Sequence, residues 1–66
     1  MIIKVNETTK KISEDLTVRG LVRELEISDN GIAVAINNNI VKKDDWSNHK
    51  LQNNDNILII RSTQGG

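Results

Sequence analysis

The sequence predicts an α+β roll: a mixed sheet of four to five strands with one α-helix laid across one face. Three observations lead there. Only one stretch carries the apolar period of a helix, Val18, Leu21, Val22 and Leu25, spaced i, i+3, i+4, i+7. The longer apolar runs outside it, Ile32 to Ile36 and Ile57 to Ile60, are short and are preceded by turn residues, Ser28-Asp29-Asn30-Gly31 and Asn53-Asn54-Asp55. The resulting order is β-β-α-β-β-(short helix)-β, two hairpins around one helix, and a single helix can cover only one side of a sheet. There is no internal repeat and no linker, so residues 1–62 read as one domain and residues 63–66 as a flexible C-terminal tail.

The first strand is read at Met1 to Asn6, where Ile3 and Val5 alternate with Ile2 and Lys4. Glu7 to Lys11 is polar and suits the hairpin connection, with a short second strand around Lys11 to Ser13 that turns Ile12 inward. Thr17 is a favoured N-cap residue, and Leu16 and Leu21 then occupy the two positions of a hydrophobic staple. Gly20, costly inside a helix by about 1 kcal/mol against alanine, is expected to let the helix pack closely on the sheet. The helix should end near Ile27, because Ser28-Asp29-Asn30-Gly31 is turn chemistry.

The third strand runs from Ile32 to Asn37, with Val34 and Ile36 towards the helix and Ala33 and Ala35 away from it. Asn37-Asn38-Asn39 makes a turn, since asparagine tolerates left-handed backbone. A short fourth strand follows at Ile40 to Lys42. Asp44-Asp45-Trp46-Ser47 reads as a short helical turn that tucks Trp46 against the sheet, and Leu51 as a single core plug among polar residues. After a turn at Asn53-Asn54-Asp55 comes the last strand, Ile57 to Ile60, expected in the centre of the sheet beside the first. All four of its residues are apolar, so either both faces are covered or one meets a partner.

Composition excludes several functions. A chain of 66 residues buries only about 60% of its unfolded surface, a thin core. With no cysteine and a single histidine, His49, it has no disulfide, no thiolate chemistry and no histidine-rich metal site. Nine basic residues balance nine acidic ones, without the basic excess of a nucleic-acid binder. The longest apolar run is the five residues Ile32 to Ile36, too short to span a bilayer. The N-terminus lacks the apolar stretch of a signal peptide. These features fit a soluble cytoplasmic protein with no membrane or nucleic-acid partner. No set of residues supplies an acid, base or nucleophile, so the chain reads as a non-enzyme with no catalytic residue of its own. His49 has no identifiable carboxylate or nucleophile partner and reads as a surface or capping residue. Asp44-Asp45 reads as a solvated helix start, where acids are favoured, and not as a metal pair.

The chain closes on Gln64-Gly65-Gly66. Two glycines after a last strand form no cap and no core, and a frayed end or a cloning remnant is the plain account of them. The other account is functional. Without Cβ atoms the backbone can enter a channel closed to other residues, and Thr63 to Gly66, extended, would reach roughly 13 Å beyond the sheet.

The framework Val34-Ala35-Ile36-Asn37-Asn38-Asn39-Ile40-Val41, then Trp46, His49 and Leu51, then Asp55-Asn56-Ile57-Leu58-Ile59-Ile60 and the closing Gly65-Gly66 resembles the ThiS-type sulfur carriers of thiamin biosynthesis. These are members of the ubiquitin-like β-grasp superfamily. The resemblance covers the whole chain in length and element order. Two positions depart from it: Asn54 stands where glycine is frequent before the last strand, and Lys42 where proline is frequent after the fourth. Asparagine can hold the same backbone shape, and the lysine costs only rigidity.

The resemblance implies that Gly66 carries the activity, with Gly65 and Gln64 as the slim approach to it. An E1-like (ThiF-like) adenylyltransferase would use ATP to join the Gly66 carboxylate to AMP. A cysteine-persulfide donor would convert it to a thiocarboxylate, and a thiazole synthase (ThiG-like) would accept the sulfur. The chain itself binds no cofactor, and its lack of cysteine fits sulfur arriving from outside. The resemblance also implies a docking face on the sheet, with Leu58 and Ile60 pointing outward and Ala35 beside them. Alternatives are the sister carrier of molybdopterin synthesis, a carrier for tRNA thiolation or a tag attached to lysines, and, from a different class, a non-covalent interaction module with an inert tail. The absence of Phe and Tyr favours the thiazole branch over the molybdopterin one.

Overall fold

The computed structural model describes residues 1–61. The strands are β1 (Ile2–Val5), β2 (Thr8–Lys11), β3 (Ile32–Ile36), β4 (Asn39–Val41) and β5 (Asn56–Arg61), with one helix, α1 (Val18–Glu24), and a 3-10 turn at Lys43–Asp45. They form one five-stranded sheet in the order β2-β1-β5-β3-β4. β1 and β5 pair parallel, and the other neighbours pair antiparallel. The last strand therefore sits in the centre beside the first, and the sheet is mixed, as expected.

The core lies between the sheet and α1. Ile3, Val34, Ile36 and Ile57 point into it from the strands, Val18, Leu21 and Val22 from the helix, and Trp46 and Leu51 close it. Val34, Ile57, Val18 and Leu21 are fully enclosed. The alternation read in β1 and β3 is the one that buries them. Among the described residues no helix is long and apolar enough to cross a membrane.

The start of α1 shows why a short helix is stable here. The first N–H groups of a helix have no partner within it. The Thr17 Oγ1 accepts the Gly20 N–H at 3.1 Å. The Val18 N–H goes to the His49 carbonyl at 3.0 Å and the Arg19 N–H to the Trp46 carbonyl at 3.1 Å. The segment after β4 thus caps the helix with its backbone, and the role of His49 visible here is that of its main chain.

Besides one-residue shifts at the ends of β1, β3 and β5, four boundaries or contacts differ from the sequence reading. The first hairpin turns at Asn6-Glu7, whose φ values are 50° and 70°, and β2 begins at Thr8, opposite Val5. The polar stretch read as connection is mostly strand. A two-residue turn of this type needs left-handed backbone at both positions, and Glu7 does not advertise it. Ile12, just beyond β2, is nonetheless buried. The helix ends at Glu24 and not near Ile27, because Glu26 takes φ 56° and stops it. Gly20 does not serve close packing on the sheet: a Cβ there would stand 2.7 Å from the Leu16 Cδ1, so the glycine makes room for the leucine ahead of the helix. The fourth strand is Asn39–Val41, starting one residue earlier than read.

Other expectations hold. Asn37 and Asn38 both adopt left-handed backbone, at φ 51° and 74°, and Asn54 does so at φ 73°, the shape for which glycine is otherwise chosen. Trp46 is buried behind the 3-10 turn.

Outside the core, Arg19 links α1 to the loop before β3. It donates to the Asp29 Oδ2 at 2.8 Å, with the Lys43 Nζ 3.6 Å from the same oxygen. The hydrogen bond from Arg19 and then the Lys43 charge hold the Asp29 carboxyl below the usual carboxylate range. Its folded-state pKa is depressed, so its contribution is present above the unfolded value and is lost as pH falls through the folded one. Asp29→Asn should lower the thermal midpoint slightly at neutral pH and leave it unchanged in strong acid. Equal losses at both pH values would rule out the carboxylate charge as the source.

Candidate functional site

The site is built on β5. Ile57 is fully buried against the core and Ile59 packs on it, while Leu58 and Ile60 are 49% and 45% exposed on the opposite face. Successive strand side chains point to opposite faces, so the four-residue apolar run is two half-runs, one for the core and one for the outside. Strand register sets the neighbours. Leu58 lies opposite Ala35, Ile60 opposite Ala33, and Ala35 in turn opposite Ile40 of β4. Two alanines therefore lie between the longer side chains of β4 and β5, and the outer face carries a shallow apolar trough walled by Ile40 on one side and Leu58 and Ile60 on the other.

Ala35 is on this face but only 6% exposed. It forms the floor of the trough and offers little area to a partner. Ile40 is the residue the sequence reading missed, and at 62% exposure it is the most open of the large apolar side chains. The signal was available: a two-residue turn at Asn37-Asn38 pairs Ile36 with Asn39 and hence Ala35 with Ile40.

The sheet carries a one-sided charge pattern. Lys4, Lys10, Lys11 and Arg61 lie in strands, and every Asp and Glu of the chain lies outside them. Lys10 faces the helix side and approaches Glu24 at 3.8 Å, whereas Lys4 shares the outward side of its rung with Asn56. The outer face thus has Lys4 beside the start of β5 and no carboxylate on its strands, whereas Arg61 falls on the core side with Ile57 and Ile59.

The two ends of β5 are fixed by side chains. At its start, the Asp55 carboxylate accepts the Asn37 Nδ2 at 3.0 Å and the Gln52 N–H at 2.8 Å, and the Asn37 Oδ1 accepts the Asn56 N–H at 3.0 Å. Asp55 is the one buried charged side chain among the described residues, at 8% exposure. The sequence reading saw it only as part of a turn. Further along β5, the Asn6 Oδ1 accepts the Ile59 N–H at 2.8 Å.

No group of His, Cys, Asp and Glu able to hold a metal is found among the described residues, and Asp44 and Asp45 are both exposed at the 3-10 turn. Gln64, Gly65 and Gly66, the tail read from the sequence, lie outside the described residues.

With this geometry in view, three similarities bear on the chain. The sulfur carrier protein ThiS of Escherichia coli (strain K12) is 33% identical over 66 residues, covering all of both chains. The crystal structure of a thiamine biosynthesis protein (ThiS) from Geobacter metallireducens superposes with a TM-score of 0.86 at 19% identity, each chain covered in full. A solution structure of a thiamine biosynthesis protein from the same organism gives 0.80, also at 19% identity, with all of this chain and 88% of that one covered. At that identity the structures speak for the fold alone, the ubiquitin-like β-grasp. The family model of the ThiS family matches residues 3–66, a span that takes in the framework, the trough and the glycine pair, and by that match the chain belongs to the ThiS family.

Proposed function

We propose that the chain is a sulfur carrier of thiamin biosynthesis, activated at the Gly66 carboxylate. The observation that carries the reading is the joint one: a family match running through residue 66, on a fold whose central strand β5 exposes an apolar outer face. The E. coli relative is itself named a sulfur carrier.

The chemistry follows from the weakness of a carboxylate as an acyl donor. A Gly66 carboxylate oxygen attacks the α-phosphorus of ATP on an E1-like adenylyltransferase, and pyrophosphate leaves. The acyl carbon now bears AMP, a good leaving group. The terminal sulfur of a cysteine persulfide on a partner attacks that carbon and expels AMP. A partner thiol then attacks the cysteine sulfur of this acyl disulfide and breaks the S–S bond carried over from the persulfide, leaving a disulfide on the partner and a thiocarboxylate on Gly66. A thiazole synthase takes the sulfur from there. The chain contributes no acid, base or nucleophile beyond its own terminus; it contributes the slim approach of Gly65 and Gly66 and the face that docks.

The trough is the docking face in this reading. Leu58→Glu replaces a half-exposed wall of the trough with a charge. Losing burial of a leucine side chain costs about 1.5–3 kcal/mol, so binding to the adenylyltransferase should weaken ten- to a hundredfold or more, while thermal unfolding of the chain changes little. Wild-type affinity for that variant would show that this face is not used.

The deciding measurement is the intact mass of the chain after incubation with the adenylyltransferase, ATP and a sulfur donor. A gain equal to exchanging one oxygen for sulfur, located on Gly66, is the expected result. An unchanged mass, with the enzyme active on another carrier, would turn the reading towards a non-covalent module.

A further inference from the structure

β5 is held unequally on its two sides. On the β3 side the ladder is continuous, from Ile36 opposite Ile57 to Ile32 opposite Arg61. On the β1 side the paired residues are only Lys4 with Asn56 and Val5 with Ile57. The backbone follows β5 a little further, the Asn6 N–H donating to the Ile57 carbonyl at 2.9 Å. There the chain turns away, because Asn6 and Glu7 adopt left-handed backbone. In a longer parallel pair the next N–H of β5, that of Ile59, would go to a main-chain carbonyl of the neighbouring strand. Here the Asn6 side chain takes that place. Its Oδ1 accepts the Ile59 N–H at 2.8 Å, and its Nδ2 lies 3.5 Å from the Ile59 carbonyl oxygen. One side-chain amide thus acts as a surrogate rung, 53 residues away in sequence, at the point where β1 has run out and two residues before Arg61.

We infer that Asn6 is a positioning residue for activation of the C-terminus: by holding Ile59 from the β1 side it fixes the direction in which β5 delivers the residues beyond Arg61 to the activating enzyme. The inference rests on the carrier reading above. It explains why an asparagine, and not only a turn-former, serves at this place. Glycine would satisfy the turn as well or better, and Asn38 shows that this chain uses asparagine for turns alone elsewhere. Only an amide, or a carboxylate in part, offers the acceptor that Ile59 needs. The clamp engages only the main chain of Ile59 and no side chain of the trough, so its loss should disturb delivery of the terminus while leaving docking in place.

The variants separate turn from clamp. Asn6→Gly keeps the left-handed backbone and removes the side chain. Asn6→Asp keeps an acceptor in the same place. Two readouts are needed: the amide exchange rate of Ile59, followed with Ile57 as internal reference, and the steady-state kinetics of ATP–pyrophosphate exchange by the adenylyltransferase with each full-length chain as substrate. The expected result for Asn6→Gly is a folded chain whose Ile59 amide exchanges faster relative to Ile57. Its kcat should fall about tenfold, within the range that small misplacements of a reacting group produce, at unchanged KM. Asn6→Asp should recover most of both. An Asn6→Gly chain with wild-type kcat, or with unaltered Ile59 exchange, overturns the inference. So does a loss of kcat that Asn6→Asp fails to restore although it restores the slow exchange. Failure of the wild-type chain to support exchange on an enzyme active with another carrier removes the carrier reading, and this inference with it.

Discussion

Trp46→Ala is expected to leave the chain largely unfolded at room temperature. Trp46 is the largest fully buried side chain, 1% exposed, and it ties two parts of the fold together by three contacts. The indole Nε1 donates to the Val41 carbonyl at 3.0 Å, which secures the end of β4. The Arg19 guanidinium lies 5.1 Å from the ring centroid, which ties in α1. The Trp46 carbonyl accepts the Arg19 N–H, so the same residue caps the helix. Truncating a buried tryptophan costs about 3–5 kcal/mol. A domain of this size has a total stability of only about 3–10 kcal/mol, at roughly 0.05–0.15 kcal/mol per residue. The loss is comparable with the whole. Urea unfolding followed by far-ultraviolet circular dichroism gives the answer, because the variant has no tryptophan to report fluorescence. Trp46→Phe should fall between, keeping a ring in the core but losing the hydrogen bond to Val41. A wild-type midpoint for the alanine variant would mean that the space behind the 3-10 turn contributes little to the fold.

What could be read from the sequence, and what could not, divides by the range of the interaction. The beginning of α1 was legible because its signals are local: Thr17 caps, and Leu16 and Leu21 stand at staple positions. Its end was not, since the residue that stops it, Glu26 in left-handed backbone, belongs to a type that seldom does so. The second hairpin was legible from Asn37-Asn38, while the first was misplaced because its turn pairs Asn6 with Glu7. Leu58 and Ile60 came from alternation within one strand. Ile40 needed the register between two strands. Asp55 and Asn6 needed more still: each looks like a turn residue in its own neighbourhood, and each acts on a partner 18 or more positions away. The two groups that fix the ends of β5 are thus the ones that local patterns conceal, whereas the strand itself is plain.

Gly66→Ala is expected to lower adenylation by about a hundredfold or more without changing the thermal midpoint. The midpoint should hold because the core residues end with Ile57 and the apolar side chain packed on it from Ile59, well before the substitution. Adenylation should fall for two reasons. The added methyl group sits on the atom next to the reacting carboxylate, in a partner channel that Gly65-Gly66 suits because neither residue has a Cβ. It also removes the positive-φ conformations that glycine reaches and alanine avoids. A misplacement of about 1 Å at a reacting group can cost about a hundredfold in rate. The trough, the docking face in the proposed reading, is untouched, so the variant should still bind the adenylyltransferase and compete with the wild-type chain. That pairing of results, retained binding with lost turnover, is the reverse of the Leu58→Glu outcome, where binding fails first. ATP–pyrophosphate exchange together with a competition assay distinguishes the two. If the alanine variant is adenylated at the wild-type rate, the terminal glycine is not required for entry, and the assignment of the reaction to Gly66 loses its physical basis.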